Sequence, residues 1–404
     1  MPKLIVTNVV YGKEYTNTFL YTLHSQLTNF QFLYENSYPV AYRIYTTQED
    51  KIRILNSKVF QKIKILTKID FIKINPFLNV NPYYTLINCH NDAIKYVNEI
   101  DAVIVFLLPD IILSNNVFEK ICRSLANKKR VLVASVLRLN KEDFEKYVSS
   151  ESLIGINPRQ LIKRALLHLH QLTYDVCWHS KKIFFWTAIL WWKLDQNNLL
   201  IRGFHLHPLF VWPLRKKYKC KGTFDDEFVS YSCPDKSAWE VLSNSDEAVL
   251  FELTSKKRKN DDVFFTKKLK TIFDFVKKYI HANHLYYAKT KIYLLTTEYK
   301  KAIEWKIKEN QSDKIINMLP NYFAFFFIKK LIKIKVLIKH VYARFYRAYL
   351  RFNFIRPIFK ELKKIFLLRN IYVKCLKKYR IFRKFNVSRK KILRKLKKVD
   401  FKFF

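Results

Sequence analysis

Between residues 4 and 140, short apolar and β-branched runs alternate with longer stretches in which apolar residues return every three or four positions. Leu4 to Val10 reads as a buried strand, and Tyr15 to Leu27 as the helix after it, with Phe19, Leu20, Leu23 and Leu27 on one face. Further strands are predicted at Ala41 to Tyr45, Ile69 to Ile74, Ala102 to Leu108 and Arg130 to Leu137. Helical spacing follows Ala41 to Tyr45 as far as about Leu55 and recurs over Tyr84 to Val97 and Val117 to Leu125. Such alternation argues for βαβ units and a mainly parallel sheet whose strands are covered on both faces. From about 150 to 200 the chain is expected to be helical, with an aromatic run from Phe184 to Trp192, and another strand is expected at Ala248 to Leu253. The charge run from Ser255 to Asp262 divides an α/β domain at residues 1–255 from a basic, mainly helical region at residues 256–404.

Composition and charge narrow the class. Half of the 404 residues are hydrophobic and 16% are aromatic, with four Gly and eleven Pro, which excludes a wholly disordered or low-complexity chain. The net charge is +42, and it is concentrated: residues 321–404 carry 27 Lys and Arg against two acids, Glu361 and Asp400. Six cysteines without a C-x-x-C pair give neither a zinc ribbon nor a disulfide framework. The N-terminal sequence MPKLIVTNVVYG runs into a strand without a signal-peptide cleavage site. The longest apolar runs, Ile183 to Trp192 and Tyr322 to Ile328, fall short of the roughly 18 to 20 residues a membrane span needs. A reducing, cytoplasmic compartment is the expectation.

Ligands of open α/β sheets bind beyond the carboxyl ends of the strands, so the polar residues that follow strands are the first candidates. Thr7, Gly12 and Tyr15 lie on the exit from the first strand, Asp110 follows the apolar run of the fourth, and Arg138 follows the fifth. Asp110 fits either a ligand site at the sheet rim or a helix N-cap. No G-x-x-x-x-G-K-[ST], G-x-G-x-x-G or G-x-S-x-G sequence occurs, which argues against P-loop, classical dinucleotide-binding and α/β-hydrolase chemistry.

The segment from Arg202 to Asp235 concentrates the remaining chemistry. Two of the four glycines, Gly203 and Gly222, bracket it; His205 and His207 open it, and Asp225, Asp226 and Glu227 follow. In a strand-like F-H-L-H-P stretch both histidines share one face, suited to a cation or to hydrogen bonds with backbone. The acidic triplet reads as a base or as a solvated turn.

The polar exit of the first strand, the lone acid after the fourth and the later His and Asp-Asp-Glu segment together resemble a GT-A-type nucleotide-sugar glycosyltransferase over roughly residues 1 to 255. That resemblance implies a GT-A-like, Rossmann-like sheet, a nucleotide-sugar donor held near Thr7, Gly12, Tyr15, Asp110 and Arg138, and a divalent cation (Mn²⁺ or Mg²⁺) at Asp110 with His207 and His205. It also implies a base among Asp226, Asp225 and Glu227 acting on a glycan or lipid-linked acceptor. The family's Asp-x-Asp is incomplete, because Leu108 stands where the first acid would be.

Beyond Lys329, bases at Lys333, His340, Arg344, Arg347 and Arg351 interleave with Ile334, Leu337, Val341, Phe345 and Leu350. This pattern suits a helix lying on an anionic membrane surface through residues 321–404, with a peripheral position at the inner face of the membrane. Packing on the α/β domain is the alternative, and the apolar content argues against a nucleic-acid tail.

Overall fold

The computed structural model describes residues 1–76, 83–215, 224, 228–255, 264–266, 268–280, 284–300 and 302–319. Its strands are β1 (Leu4–Val10), β2 (Val40–Thr46), β3 (Lys68–Lys73), β4 (Val103–Phe106), β5 (Ile111–Leu113), β6 (Val131–Ala134), β7 (Val136–Asn140), β8 (Ile183–Phe184), β9 (Ile189–Lys193), β10 (Leu199–Gly203), β11 (His207–Val211), β12 (Trp239–Val241), β13 (Leu250–Thr254), β14 (Phe264–Phe265) and β15 (Ile292–Leu294). Seven of them form one sheet in the order β12-β6-β11-β4-β1-β2-β3. All pairs in it are parallel except those of β11, which lies antiparallel between β4 and β6. The register of β11 shifts between Pro208 and Phe210, where proline has no N–H to give the ladder.

The mixed α/β class and mainly parallel sheet agree with the sequence pattern. Every residue of β1 is buried, and its side chains alternate between two cores: Ile5 and Val9 pack in one, Leu4, Val6 and Val10 in the other. The first core contains Cys89, Ala93, Ile94 and Val97 of the helix Tyr83–Glu99; the second contains Phe19, Leu23, Phe30 and Leu33 of the long helix α1 (Lys13–Glu35).

Helix α1 buries a polar stripe as well as an apolar one. The Thr22 hydroxyl donates to the carbonyl of Pro109 (2.8 Å), and Ser25 Oγ accepts from the amide of Leu113 (3.1 Å). Asn29 donates to the carbonyl of Ser114 (2.9 Å) and accepts from the amide of Phe118 (2.9 Å). Residues 107–118 leave the main sheet, and these side chains supply partners that a ladder would otherwise provide.

Three departures from the sequence reading have physical causes. The fifth strand breaks at Ser135 into β6 and β7, and β7 joins β13 and β5 in a separate sheet of order β5-β13-β7. The aromatic run is strand, not helix: β9 pairs with β10, and buried Trp192 stacks on Trp178 at 5.9 Å. The expected boundary after residue 255 moves as well, because one compact unit spans Met1–Tyr322. Past residue 255 β15 pairs with β10, and buried Arg202 donates to the Ala288 and Lys289 carbonyls, Ser312 and Asp313, the last two in a helix over 303–319. The expected membrane-binding segment 321–404 lies outside the described residues. No described helix is long and apolar enough to cross a membrane.

The polar stripe sets a test. Asn29→Ala strips partners from two buried backbone groups, and each such loss costs roughly 1–3 kcal/mol. Urea denaturation should show that loss of stability; a midpoint equal to that of the parent protein would contradict the assigned hydrogen bonds.

Candidate active site at the carboxyl ends of the parallel strands

The chain leaves β4 at Phe106, and the Leu107 amide continues the ladder by donating to Thr7 (3.0 Å). The chain then turns through Pro109, whose carbonyl is held by Thr22. Asp110 follows. Its own carbonyl accepts from the Leu253 amide (2.8 Å), which fixes it beside β13. Parallel pairing of β13 with β7 sets Glu252 opposite Arg138, and Arg138 Nε lies 3.1 Å from Glu252 Oε1. The Thr254 hydroxyl donates to the same Glu252 oxygen at 2.9 Å.

Asp110 is half-buried, and its Oδ1 is withdrawn from solvent without a hydrogen-bond partner among the described residues. Desolvation, then the nearby charge of Glu252, raise its pKa to about 7, while a backbone amide, Arg138 and Lys141 act the other way. The Arg138 guanidinium is held above its ordinary value chiefly by Glu252, against desolvation, with Asp110 and Tyr83 adding to the effect. Desolvation and the Asp110 charge also raise the Tyr15 phenol, with smaller contributions from Tyr83, Glu14 and Glu252. Tyr15, Asp110 and Arg138 thus fall in one electrostatic group with Glu252, Lys141 and Tyr83. Tyr15 and Tyr83 stand exposed at its edge, while Arg138 keeps 42% of its side chain accessible.

The other expected positions divide. Gly12 caps α1 with φ 82° and gives its N–H to the Asp50 carboxylate at 2.8 Å, so its role is a turn that a side chain would strain. Thr7 is fully buried in the middle of β1 and does not reach the rim. The histidines do not share a face. Leu206 folds over Gly203 so closely that a Cβ there would meet Leu206 Cδ2 at 2.1 Å, and β11 starts only at His207. His207 Nε2 bonds to the Phe106 carbonyl at 2.8 Å, whereas the His205 ring lies 5.9 Å from Trp186 and 4.4 Å from His284. The expected cation site therefore loses its paired-histidine geometry. Among the described residues no three His, Cys, Asp or Glu side chains gather as a metal-binding group. Asp110 with Glu252 still offers the oxygen donors that suit Mg²⁺ or Mn²⁺, which can complete their coordination with substrate phosphates and water.

Asp225, Asp226 and Glu227 lie outside the described residues, as do Cys220 and Gly222. Their neighbours in sequence are placed: Phe224 stacks on Phe106 at 4.4 Å, and Phe228 meets the same ring edge-on at 5.8 Å.

Three residues of this region escaped the sequence reading. Glu252 was detectable as the one acid within the apolar run Ala248 to Leu253. Lys141 carried no signal, since it is one lysine among many. His90 occupies the apolar stripe of the Tyr83–Glu99 helix, four residues before Ile94. It is buried edge-on against Phe106 (5.4 Å) and Phe224 (4.6 Å), its ring nitrogens have no hydrogen-bond partner among the described residues, and burial, then His207, lower its pKa to about 3. It is a neutral imidazole at physiological pH.

No protein-family model matches the chain, and no curated protein matches it. The site is therefore read from its own chemistry.

The sign of the Asp110 shift fixes a pH dependence. An unfolded aspartate ionises near about 3.9, so between there and about 7 the folded protein holds a proton that the unfolded chain has lost. Stability from this site is present below the lower value and is lost as pH rises through the upper one. Asp110→Asn removes that loss. In urea unfolding from about pH 4.5 to 8, the variant should gain on the parent as pH rises and level off above about 7. A pH-independent difference would contradict the raised pKa.

Proposed function

We propose that the chain transfers a glycosyl group from a nucleotide-sugar donor to a hydroxyl of a glycan or lipid-linked acceptor. The observation that supports this reading best is the unpartnered Asp110 oxygen, set beside Glu252 and Arg138 at the carboxyl edge of a mainly parallel sheet. Buried carboxylates are normally satisfied, and one left open at the usual ligand edge of an α/β sheet is suited to an incoming group.

Departure of a nucleoside diphosphate concentrates negative charge on its phosphates, which fixed cations stabilise. Arg138 and Lys141 supply such cations at this rim. Asp110 and Glu252 are the residues that would hold a divalent cation, which when bound neutralises the diphosphate. Tyr15 and Tyr83 border the open side, where aromatic faces can carry a base or a sugar ring. The general base toward the acceptor hydroxyl is assigned to Asp226, Asp225 or Glu227, a carboxylate triplet whose sequence neighbours Phe224 and Phe228 pack on Phe106. Residues 321–404, with 27 bases and two acids, are assigned to an anionic membrane surface, where a lipid-linked acceptor would be at hand.

A thermal-shift panel of UDP-, GDP- and CMP-sugars, with and without Mn²⁺, tests the donor assignment, because a ligand of the native state alone raises Tm. At least one donor should raise it, and Arg138→Ala should reduce that rise. With that donor, Asp110→Ala should lower transfer by about 100-fold or more while circular dichroism stays native, the scale expected for loss of one electrostatic contact to the transition state. If no donor shifts the parent protein, or if both variants turn over at its rate, the reading fails and a non-catalytic basic binding protein becomes the better account.

A further inference from the structure

A small cleft lies away from the rim residues. The two-stranded β8–β14 ribbon and helix Lys268–Tyr279 enclose a cleft of about 150 Å³ lined by Phe185, Phe265, Thr266, Lys270, Thr271 and Asp274. Phe265 is 42% exposed, and its ring lies 6.1 Å from that of Phe185 at an interplanar angle of 57°. Phe185 is backed edge-on by Tyr279 at 5.9 Å, and Trp186, 41% exposed, continues the aromatic surface against Tyr279 at 4.8 Å.

We infer that this cleft is a subsite for a neutral pyranose unit of a glycan. Rings such as Phe185 and Phe265 present faces of partial negative charge, which attract the polarised C–H face of a sugar ring. The polar lining suits hydroxyls, which both donate and accept. Lys270 only donates, ionised Asp274 only accepts, and the threonines do both. Lys270 and Asp274 pair at 3.7 Å, so the charges oppose each other and favour a neutral ligand over an anionic one. A phosphate would meet the Asp274 carboxylate. A volume well below the several hundred Å³ of a drug-sized site admits a single ring.

The backbone beside the cleft is tied to that of Arg138 through the segment Thr173 to Asp175. The Arg138 amide donates to Thr173 Oγ1 at 3.1 Å, and the Thr173 hydroxyl donates to the Arg138 carbonyl at 2.9 Å. Two residues on, the Asp175 carbonyl accepts from the Phe184 amide at 3.0 Å, next to Phe185. Identification of the ligand as part of the acceptor rests on the proposed transferase reading; binding of a sugar to the cleft does not.

Saturation-transfer NMR on the full chain without donor tests the inference. The probes are tetrasaccharides of α-linked glucose, β-linked glucose, N-acetylglucosamine and mannose. At least one should receive saturation, and Phe265→Ala and Asp274→Asn should each reduce the effect at least about threefold, consistent with loss of roughly 0.7 kcal/mol or more. Both positions are substantially accessible, so the variants should retain the parent Tm and the parent donor shift. No saturation of any tetrasaccharide, or an effect unchanged in both variants, overturns the subsite. If donors bind and tetrasaccharides do not, the subsite alone falls; if tetrasaccharides bind at Phe265 and no donor does, the transferase reading alone falls.

Discussion

The candidate site depends on a division of labour between the backbone and the side chain of one turn. Residues 107–118 leave the main sheet, and Thr22, Ser25 and Asn29 of helix α1 bind their backbone at Pro109, Leu113, Ser114 and Phe118. A ladder bond from Leu253 holds the Asp110 carbonyl from the other side. The backbone is thus fixed on two faces, while one Asp110 carboxylate oxygen has no hydrogen-bond partner among the described residues. Helices that bury threonine, serine and asparagine give up apolar area, and that loss is offset where each polar group satisfies a backbone group that would otherwise be stranded.

The electrostatics follow from that placement. Asp110 and Glu252 are neighbours because β13 lies between β5 and β7, so burial and then their like charges raise the Asp110 pKa, and Arg138 opposite Glu252 limits the rise. Such a group can exchange a proton near neutral pH or meet a cation, and either ability belongs more often to a binding site than to a structural ion pair. The neighbouring aromatic cluster of His90, Phe106, Phe224 and His207 has the opposite character: it keeps His90 neutral and closes the core directly beneath the strand ends.

Much of the fold was legible from periodicity because the strands of the main sheet are apolar on both faces and the helices between them keep one apolar stripe. The run Phe184 to Trp192 was misread, since a stretch apolar at nearly every position fits a buried helix as well as strands, and pairing with β10 decides between them. Asp110, Arg138 and Tyr15 could be located because strand ends are local features. Glu252 could not be joined to them from sequence, for its position depends on a register set across more than a hundred residues. The two histidines failed for a local reason: the tight approach of Leu206 to Gly203 breaks the alternation that an uninterrupted strand would impose.

The most direct measurement is a ¹³C NMR titration of protein labelled at the aspartate carboxyl carbons, with Asp110→Asn to assign the signal. One resonance, absent in the variant, should titrate near about 7, well above the ordinary aspartate range, and its midpoint should move when a nucleoside diphosphate and Mg²⁺ are added. An Asp110 signal that titrates near about 4 and ignores both additions would contradict a ligand-facing carboxylate at this rim.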